Sequence, residues 1–489
     1  MASAPNAITS LVRPAGKVDD LGIPQGLAED LFMRRVLSER ITTVGEVAAL
    51  LHIGHAVADE LAASLREKAL VEYLGVTGRD YRIQLTELGA RTTNQRMATG
   101  RHVGPMPVSL IAYQAVVRAQ QSRVTLDRTT IAAAFDDLVV DEALLDQIGP
   151  AFNGGGAIFL YGPAGTGKTS LAERLNRVLR EPVYVPRYVE TDGQLISVYD
   201  PSLHRAVADQ PPDVDQRWVR CERPLVIVGG ELDLSMIDLQ YDRISGTSVA
   251  PIQMLANNGI LVIDDFGRQA FRPDEILNRW IVPLSRGVDY LKANTGTKFT
   301  VPFEVKLVIS TNLDPRSLGD DAFLRRLRNK VFVGPVTEEA FTTITRAAAT
   351  ASGLVLRPDA IERLIEASYD ELGELRPYLA VDICELAVAV VNYDGIDPVL
   401  DARMVERVSE LYFVQSEAEE LESRHLDVWN APHDGHPNGL WNDYEIGGVE
   451  HDFLAGLEAL AATQIVENDE LGGTVPPALQ GHGAGGIGA

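Results

Sequence analysis

AIFLYGPAGTGKT, residues 157–169, is the stretch of this 489-residue sequence that decides the fold. A short apolar run predicts a buried strand, and SLAERLNRVL, which follows the stretch, has the apolar spacing of a helix. Strand, glycine-rich loop and helix in this order form the P-loop pattern, GxxxxGK[ST]. The alternative is an accidental glycine-rich turn in front of a helix.

The loop has the chemistry of a phosphate cradle. Its glycines let consecutive backbone N–H groups face one phosphate, and the helix that follows adds its positive N-terminal end. In this pattern Lys168 contacts the β- and γ-phosphates and Thr169 ligates Mg²⁺, so we expect ATP and Mg²⁺ as cofactors. The residues predicted to bind them are Gly162, Pro163, Ala164, Gly165, Thr166, Gly167, Lys168, Thr169 and Ser170.

Apolar runs and helical segments alternate outward from this loop. Such alternation predicts an α/β fold with a parallel sheet sandwiched by helices. The predicted strands are AIFLYG, PVYVP, PLVIVG, GILVIDD and FEVKLVIST.

Two acidic residues end the strand at 259–263. At the carboxyl end of a buried parallel strand, a carboxylate lies in the crevice where such sheets bind ligands, so we assign Asp264 to the metal. Asp265 is the candidate to orient or deprotonate the attacking water. The pair could instead cap a helix or lie in an ordinary loop.

A third motif is the predicted strand at 305–310, followed by TNLDP. Asn312 at its tip is a candidate to bind both the γ-phosphate and the lytic water, or it merely initiates the Asp-Pro turn. A fourth is DDAFLRRLRNKVFV, in which Arg325, Arg326 and Arg328 lie on one short predicted helix. Those arginines could also form a solvated face.

These four motifs, spread over residues 157–335, resemble the AAA+ ATPase superfamily, with Asn312 in the sensor 1 position. The resemblance implies that Arg325 and Arg326 act as arginine fingers, which reach the nucleotide of a neighbouring subunit. The permanent charge of these arginines stabilises the transition state. It implies a homo-oligomer, in the form of a hexameric ring. The segment before Asp264 resembles MoxR-type proteins, in which an insertion projects toward the ring pore, so Tyr241 is a candidate pore aromatic.

The sequence departs from the superfamily at two places. Asp265 stands where Glu is usual, which suggests slower turnover or a shifted water, and the Asp-Asp pair also resembles the DnaA and IstB group. The second place is Arg376-Pro377-Tyr378, which stands at the start of a lid helix where a Pro-Arg pair is usual. Arg376 is therefore a candidate nucleotide-binding residue in a displaced sensor 2 position. The alternative is a residue that only precedes the helix.

The N-terminal region reads helix, helix, helix, strand, turn, strand, which resembles a winged helix-turn-helix. A DNA-reading version needs Arg, Lys, Asn or Gln on its third helix, but here that helix carries Asp59 and Glu60. We therefore favour a protein-docking or structural module. The predicted divisions are a flexible N-terminus at 1–25, a winged-helix-like domain at 26–98, a linker with helices at 99–150, the α/β core at 151–336, an all-α lid at 337–415 and a polar, largely disordered tail at 416–489.

Composition narrows the cellular setting. A formal net charge of -25 opposes a broad nucleic-acid surface or an anionic membrane surface. The chain's two cysteines, Cys221 and Cys384, lack the spacing of a disulfide framework or a zinc site. The first twenty residues have no signal-peptide core and no apolar run is long enough for a bilayer, so a cytoplasmic protein is expected.

Three functions fit these patterns. The first is a ring ATPase that remodels an unidentified client protein in the manner of a chaperone. The second is a DNA-dependent loader or transposition helper, which the acidic charge disfavours. The third is a slow-turnover, ATP-controlled assembly switch, motivated by the short side chain of Asp265.

Overall fold

A computed structural model describes residues 5–98, 100–121, 125–318 and 327–413. The predicted tail, 416–489, lies outside the described residues. Within them the fold is mixed α/β with a parallel sheet and many helices. No helix in the described part of the chain is long and apolar enough to cross a membrane.

The N-terminal module combines four helices with a small antiparallel sheet in the order β1-β3-β2, and a further helix precedes it. Thr43 begins the second helix of the module, because its hydroxyl accepts the Glu46 N–H while the Glu46 carboxylate accepts the Thr43 N–H. The elements are α1 to α5 at Pro5–Leu11, Gln25–Glu39, Val44–Leu51, His55–Glu67 and Glu87–Met97, and β1 to β3 at Thr42–Thr43, Val71–Thr77 and Asp80–Leu85.

The second half of the segment at 1–25, for which the sequence predicts flexibility, contains buried apolar residues. Val12, Val18 and Leu21 are buried in the structure. The Val18 N–H donates to the Glu60 carboxylate at 2.7 Å, which ties this segment to α4. Burial of these three apolar side chains is favourable and orders the segment, although its composition suggested a flexible start.

A connecting region follows, with strand β4 and three helices. The last of these helices begins after Asp141, whose carboxylate accepts the Ala143 N–H at 3.0 Å and so caps the helix. The elements are β4 at Val108–Ser109 and α6 to α8 at Leu110–Ala119, Arg128–Ala134 and Glu142–Asn153.

The central region holds most of the strands. Strands β5 to β10 lie at Ile158–Tyr161, Val183–Pro186, Tyr188–Thr191, Gln194–Ser197, Trp218–Cys221 and Leu225–Val228. Strands β11 to β17 lie at Gln240–Asp242, Thr247–Val249, Ile260–Ile263, Val288–Lys292, Lys298–Pro302, Lys306–Thr311 and Asn329–Phe332. Helices α9 to α11 lie at Lys168–Arg174, Ile252–Leu255 and Pro273–Arg286, and short 3₁₀ turns lie at Val18–Leu21, Leu175–Val178, Leu234–Ile237 and Pro315–Ser317.

The core sheet has the order β10-β13-β16-β5-β17, and all four of its strand pairings are parallel. All four residues of β13 are apolar and completely buried. Buried side chains from α8, α9 and α11 cover its faces. The carboxyl ends of these parallel strands therefore meet at one edge.

A second five-stranded sheet, the mixed sheet, has the order β11-β12-β8-β7-β4. The prediction that PVYVP is a strand of the core sheet is wrong. Its residues form β6, which pairs antiparallel with β9. An apolar run indicates that a strand is buried but does not indicate which strand it pairs with. The fifth strand of the core sheet is β17.

The C-terminal part of the described chain is a four-helix segment around Phe341, Leu364, Leu379 and Val405, all fully buried. A short parallel pair, β18 with β19, joins two of its loops. Its elements are α12 to α15 at Glu338–Ala351, Pro358–Leu372, Pro377–Asp394 and Ala402–Tyr412, with β18 and β19 at Val355–Leu356 and Val399–Leu400.

Candidate functional site

The glycine-rich loop connects β5 to α9, which confirms the predicted strand-to-helix setting. Gly162, Gly165 and Gly167 have φ values of 148°, 75° and 89°, a region that side chains rarely adopt. A Cβ on Gly162 would lie 2.1 Å from the Val333 carbonyl oxygen. Only glycine allows the loop to curl this closely against the end of β17.

Lys168, the first residue of α9, is 5% exposed. Its ammonium donates to the carbonyls of Gly162 and Pro163 at 3.0 and 2.7 Å. Burial lowers the pKa of Lys168, while Asp264 and Asp265 oppose that shift. A cation is thus held inside the loop with two carboxylates nearby.

Thr169 and Asp264 come together across the edge of the core sheet. The Thr169 hydroxyl donates to Asp264 Oδ2 at 2.6 Å, although the two residues are 95 positions apart in sequence. Asp264 follows β13 directly, and its N–H donates to the carbonyl of Val228 at the end of β10. The residues assigned to the metal from the sequence therefore lie side by side.

Asp265 and Asn312 form a second pair at the same edge. The Asn312 amide donates to Asp265 Oδ1 at 2.8 Å. Strand β16 lies between β5 and β13, so Asn312 at its end lies between the glycine-rich loop and the acidic pair. Asp265 itself has φ of 47°, a left-handed conformation that is uncommon for a residue other than glycine.

The C-terminal helices reach the loop through the start of α14. The Tyr378 N–H donates to the Gly165 carbonyl at 3.3 Å, and a Cβ on Gly165 would lie 1.9 Å from Tyr378 Cδ1. Arg376, which precedes α14, donates to Glu374 at 2.8 Å. Its charge also contributes to the lowered pKa of Lys168, which places it beside the loop.

The predicted arginine fingers, Arg325 and Arg326, lie outside the described residues, whereas Arg328 is described and exposed. Tyr241 lies on β11, the edge strand of the mixed sheet, where it is 37% exposed.

Sequence reasoning missed two residues of the site. Gln269 bonds to the backbone around Asp264 and Asp265, and Tyr378 contacts Gly165. Neither residue belongs to a sequence motif whose spacing predicts a contact with the site. The proximity of Tyr378 to the Arg376 position is the one signal that could have directed attention to it.

The residues at this edge fit a magnesium ion bound together with phosphates. Mg²⁺ prefers hard oxygen ligands and is commonly held by one or two protein groups plus phosphate oxygens. Thr169 and Asp264 offer a hydroxyl and a carboxylate, both only partly buried. The curled loop and the Lys168 ammonium supply the positive partners that phosphates require.

Comparison with known proteins gives limited matches. A family model described as "Domain of unknown function (DUF8689)" matches residues 337–410, which are the helices of the C-terminal segment. A search of curated protein sequences found no match.

Solved structures that match part of this chain include a RuvB Holliday junction branch migration motor from Thermotoga maritima. It has 14% identity and a TM-score of 0.36 over 62% of this chain and 80% of its own. NtrX from Brucella abortus has 14% identity and a TM-score of 0.35 over 65% of this chain and 58% of its own. Values this low do not assign a function, which must come from this chain's own residues.

Proposed function

We propose that this chain is an ATPase of the AAA+ type, which binds ATP with Mg²⁺ at the carboxyl edge of the core sheet and hydrolyses it. One observation carries the proposal. Thr169 bonds to Asp264 at 2.6 Å while Asn312 bonds to Asp265 at 2.8 Å, on strands that converge beside the glycine-rich loop. Metal-binding and water-positioning groups are thus paired separately within one site.

Each residue has a distinct role in this proposal. Lys168 contacts the β- and γ-phosphates, and Thr169 with Asp264 holds the metal, which neutralises charge that develops on the phosphates. Asp265 accepts the proton of the attacking water or orients it, and Asn312 fixes the Asp265 carboxylate. Arg376 adds a positive charge on the side of the C-terminal helices, which serve as the lid.

The working form is a homo-oligomeric ring in which Arg325 and Arg326 reach the nucleotide of the neighbouring subunit. Guanidinium suits this role because its charge is permanent and its geometry matches phosphate oxygens. Arg328, which directly precedes β17, is exposed.

The ring remodels a client protein, and the N-terminal module is a winged-helix-like docking domain. Its element order, with two helices before α4 and the β2–β3 hairpin after it, supports this interpretation. The acidic groups on α4 disfavour DNA binding, because carboxylates repel the phosphate backbone. In the structure Asp59 is paired with His55, and Glu60 accepts the Val18 N–H. Tyr241 on the exposed strand β11 is the proposed client contact.

Steady-state hydrolysis tests the enzyme activity. We expect Mg²⁺-dependent ATP turnover in the wild type and a loss of about 10²- to 10³-fold in Lys168→Ala. Lys298→Ala, which removes an exposed lysine from β15, is the matched control and should retain full activity. Equal turnover in both variants would refute the site. A single-turnover burst followed by slow steady state would favour the assembly switch over the motor.

Particle size with and without ATP tests the ring. A nucleotide that bridges two protomers stabilises the assembled form by mass action, so ATP should increase the assembled fraction. Mixing Arg325→Ala/Arg326→Ala subunits with Lys168→Ala subunits should restore part of the hydrolysis. Complete inactivity at every ratio, despite co-assembly, would contradict sites shared between subunits.

A further inference from the structure

Gln269 makes an unusual number of contacts for a loop residue. It is 9% exposed and lies in the turn that follows β13. Its side-chain carbonyl accepts the Gly267 N–H at 2.9 Å. Its amide nitrogen donates to three backbone carbonyls, those of Gly229, Asp264 and Asp265, at 3.1, 3.2 and 3.3 Å.

These contacts surround a strained residue. Asp265 has φ of 47°, in the left-handed region that residues with a Cβ adopt only occasionally. Such a conformation persists only where the surroundings fix it. Gln269 binds the carbonyls on both sides of the Asp265 Cα, while Asn312 binds its carboxylate. Backbone and side chain are thus held by different residues.

The contact with Gly229 gives the turn a rigid anchor. Gly229 follows β10, the neighbouring strand of the core sheet, and its own N–H donates to Glu231 at 3.0 Å. Gln269 therefore ties the Asp265 turn to a second strand end. A group that must be held within a fraction of an ångström needs this kind of support from a fixed element.

We propose that Gln269 is a positioning residue for hydrolysis, which sets the direction of the Asp265 carboxylate by fixing the backbone of its turn. The inference rests on the proposed ATPase activity. Gln269 does not touch the glycine-rich loop in any contact of the described residues, and it reaches Asp264 only through the backbone carbonyl, while Thr169 holds the Asp264 carboxylate. Its loss should therefore affect the hydrolytic step much more than nucleotide binding.

Two variants of Gln269 test its hydrogen bonds while keeping the size of its side chain. Gln269→Met keeps the length of the side chain and removes all four bonds; Gln269→Glu keeps the acceptor for Gly267 but removes the donor. We expect both to lower kcat by about 10²-fold, as misplacement of a reacting group by about 1 Å does. The affinity for Mg·ATP should stay within about threefold, because Gln269 contacts only the backbone carbonyl of Asp264, and the Asp264 carboxylate keeps its contact with Thr169.

Gln253→Met is the matched control. Gln253 is 1% exposed and donates to the Ile237 carbonyl and to Asp289, away from the acidic pair. Its loss should lower the melting temperature about as much as the loss of Gln269 and leave kcat unchanged. This comparison removes general destabilisation as the explanation.

Amide hydrogen exchange supplies a readout that does not need activity. The Gly267 N–H should exchange faster in Gln269→Met and remain protected in Gln269→Glu, which retains its acceptor. Wild-type kcat in Gln269→Met, or a fall in affinity as large as the fall in kcat, would overturn the proposal. A wild type that hydrolyses no ATP would instead refute the proposed function, and the exchange result would show separately whether Gln269 holds the turn.

Discussion

The core sheet and the mixed sheet both bury polar side chains, but they use them differently. In the mixed-sheet region Asp215 and Arg217 are each 6% exposed and satisfy one another, with Arg217 also donating to the carbonyls of Leu21 and Pro107. At the edge of the core sheet Asp264 and Asp265 are only partly buried, and each makes a single side-chain contact with another polar side chain.

This difference separates structural from functional polar groups. A buried charge that is fully paired fixes the fold, and breaking it is costly. A carboxylate at the end of a parallel strand keeps accessible oxygens that a ligand can use. The following changes should therefore alter stability in one region and chemistry in the other.

The largest effect is expected for Arg217→Met. Removing one partner leaves the Asp215 carboxylate buried without its cation, which costs about 3–5 kcal/mol of unfolding free energy. Urea unfolding measures the loss. The double variant Arg217→Met/Asp215→Leu removes both charges and should recover most of it. A loss below about 1 kcal/mol in the single variant would show that the pair is not structural.

Asp265→Asn should give the reverse result. Loss of the carboxylate lowers kcat by about 10²- to 10³-fold, equivalent to roughly 3–4 kcal/mol on the barrier. Stability should not fall, because Asn tolerates the left-handed backbone at least as well as Asp. ATPase assays and thermal unfolding of the same preparation test both halves. Intact hydrolysis would remove Asp265 from the mechanism.

Acid should destabilise the mixed-sheet region through His102. This residue is 7% exposed against Tyr188 of β7, with ring centroids 4.5 Å apart, and burial lowers its pKa to about 4. Between pH 6.5 and 4 the unfolded chain binds the proton and the folded chain does not, so stability falls as pH falls. At pH 5 the expected loss from this group is about 2 kcal/mol.

Comparison with His102→Phe isolates the effect of His102, since the carboxylates titrate in both proteins. Unfolding free energies at pH 7 and pH 5 should differ more in the wild type than in the variant. Equal pH dependence would mean that His102 keeps an ordinary pKa.

The last change is Gly165→Ala, where the core-sheet edge meets the C-terminal helices. The φ of 75° alone costs alanine about 1–2 kcal/mol, and the new methyl group must also displace the Tyr378 ring. Adding Tyr378→Ala should relieve the steric part but not the backbone part. Thermal unfolding of the single and double variants checks this; equal melting temperatures would place Tyr378 away from the loop.

The core sheet and its edge were largely predictable from the sequence. Parallel strands buried on both faces give continuous apolar runs, and the motif residues at their ends need only converge. The pairings of Thr169 with Asp264 and of Asp265 with Asn312 follow from that convergence.

The mixed sheet was not predictable in the same way. Its strands are two to four residues long, too short for a clear period. PVYVP, which forms β6 outside the mixed sheet, has the same apolar content as a core strand. Gln269 was missed for a related reason. A glutamine in a turn has no preferred partner, and its four contacts depend on where β10 and β13 end.

Direct binding of ATP tests the central claim, that the glycine-rich loop and Asp264 hold a nucleotide with its magnesium. Calorimetric titration of the full chain with ATP should give saturable binding in the presence of Mg²⁺ and markedly weaker binding in Asp264→Asn. Absence of any affinity for adenine nucleotides with Mg²⁺ present would contradict it.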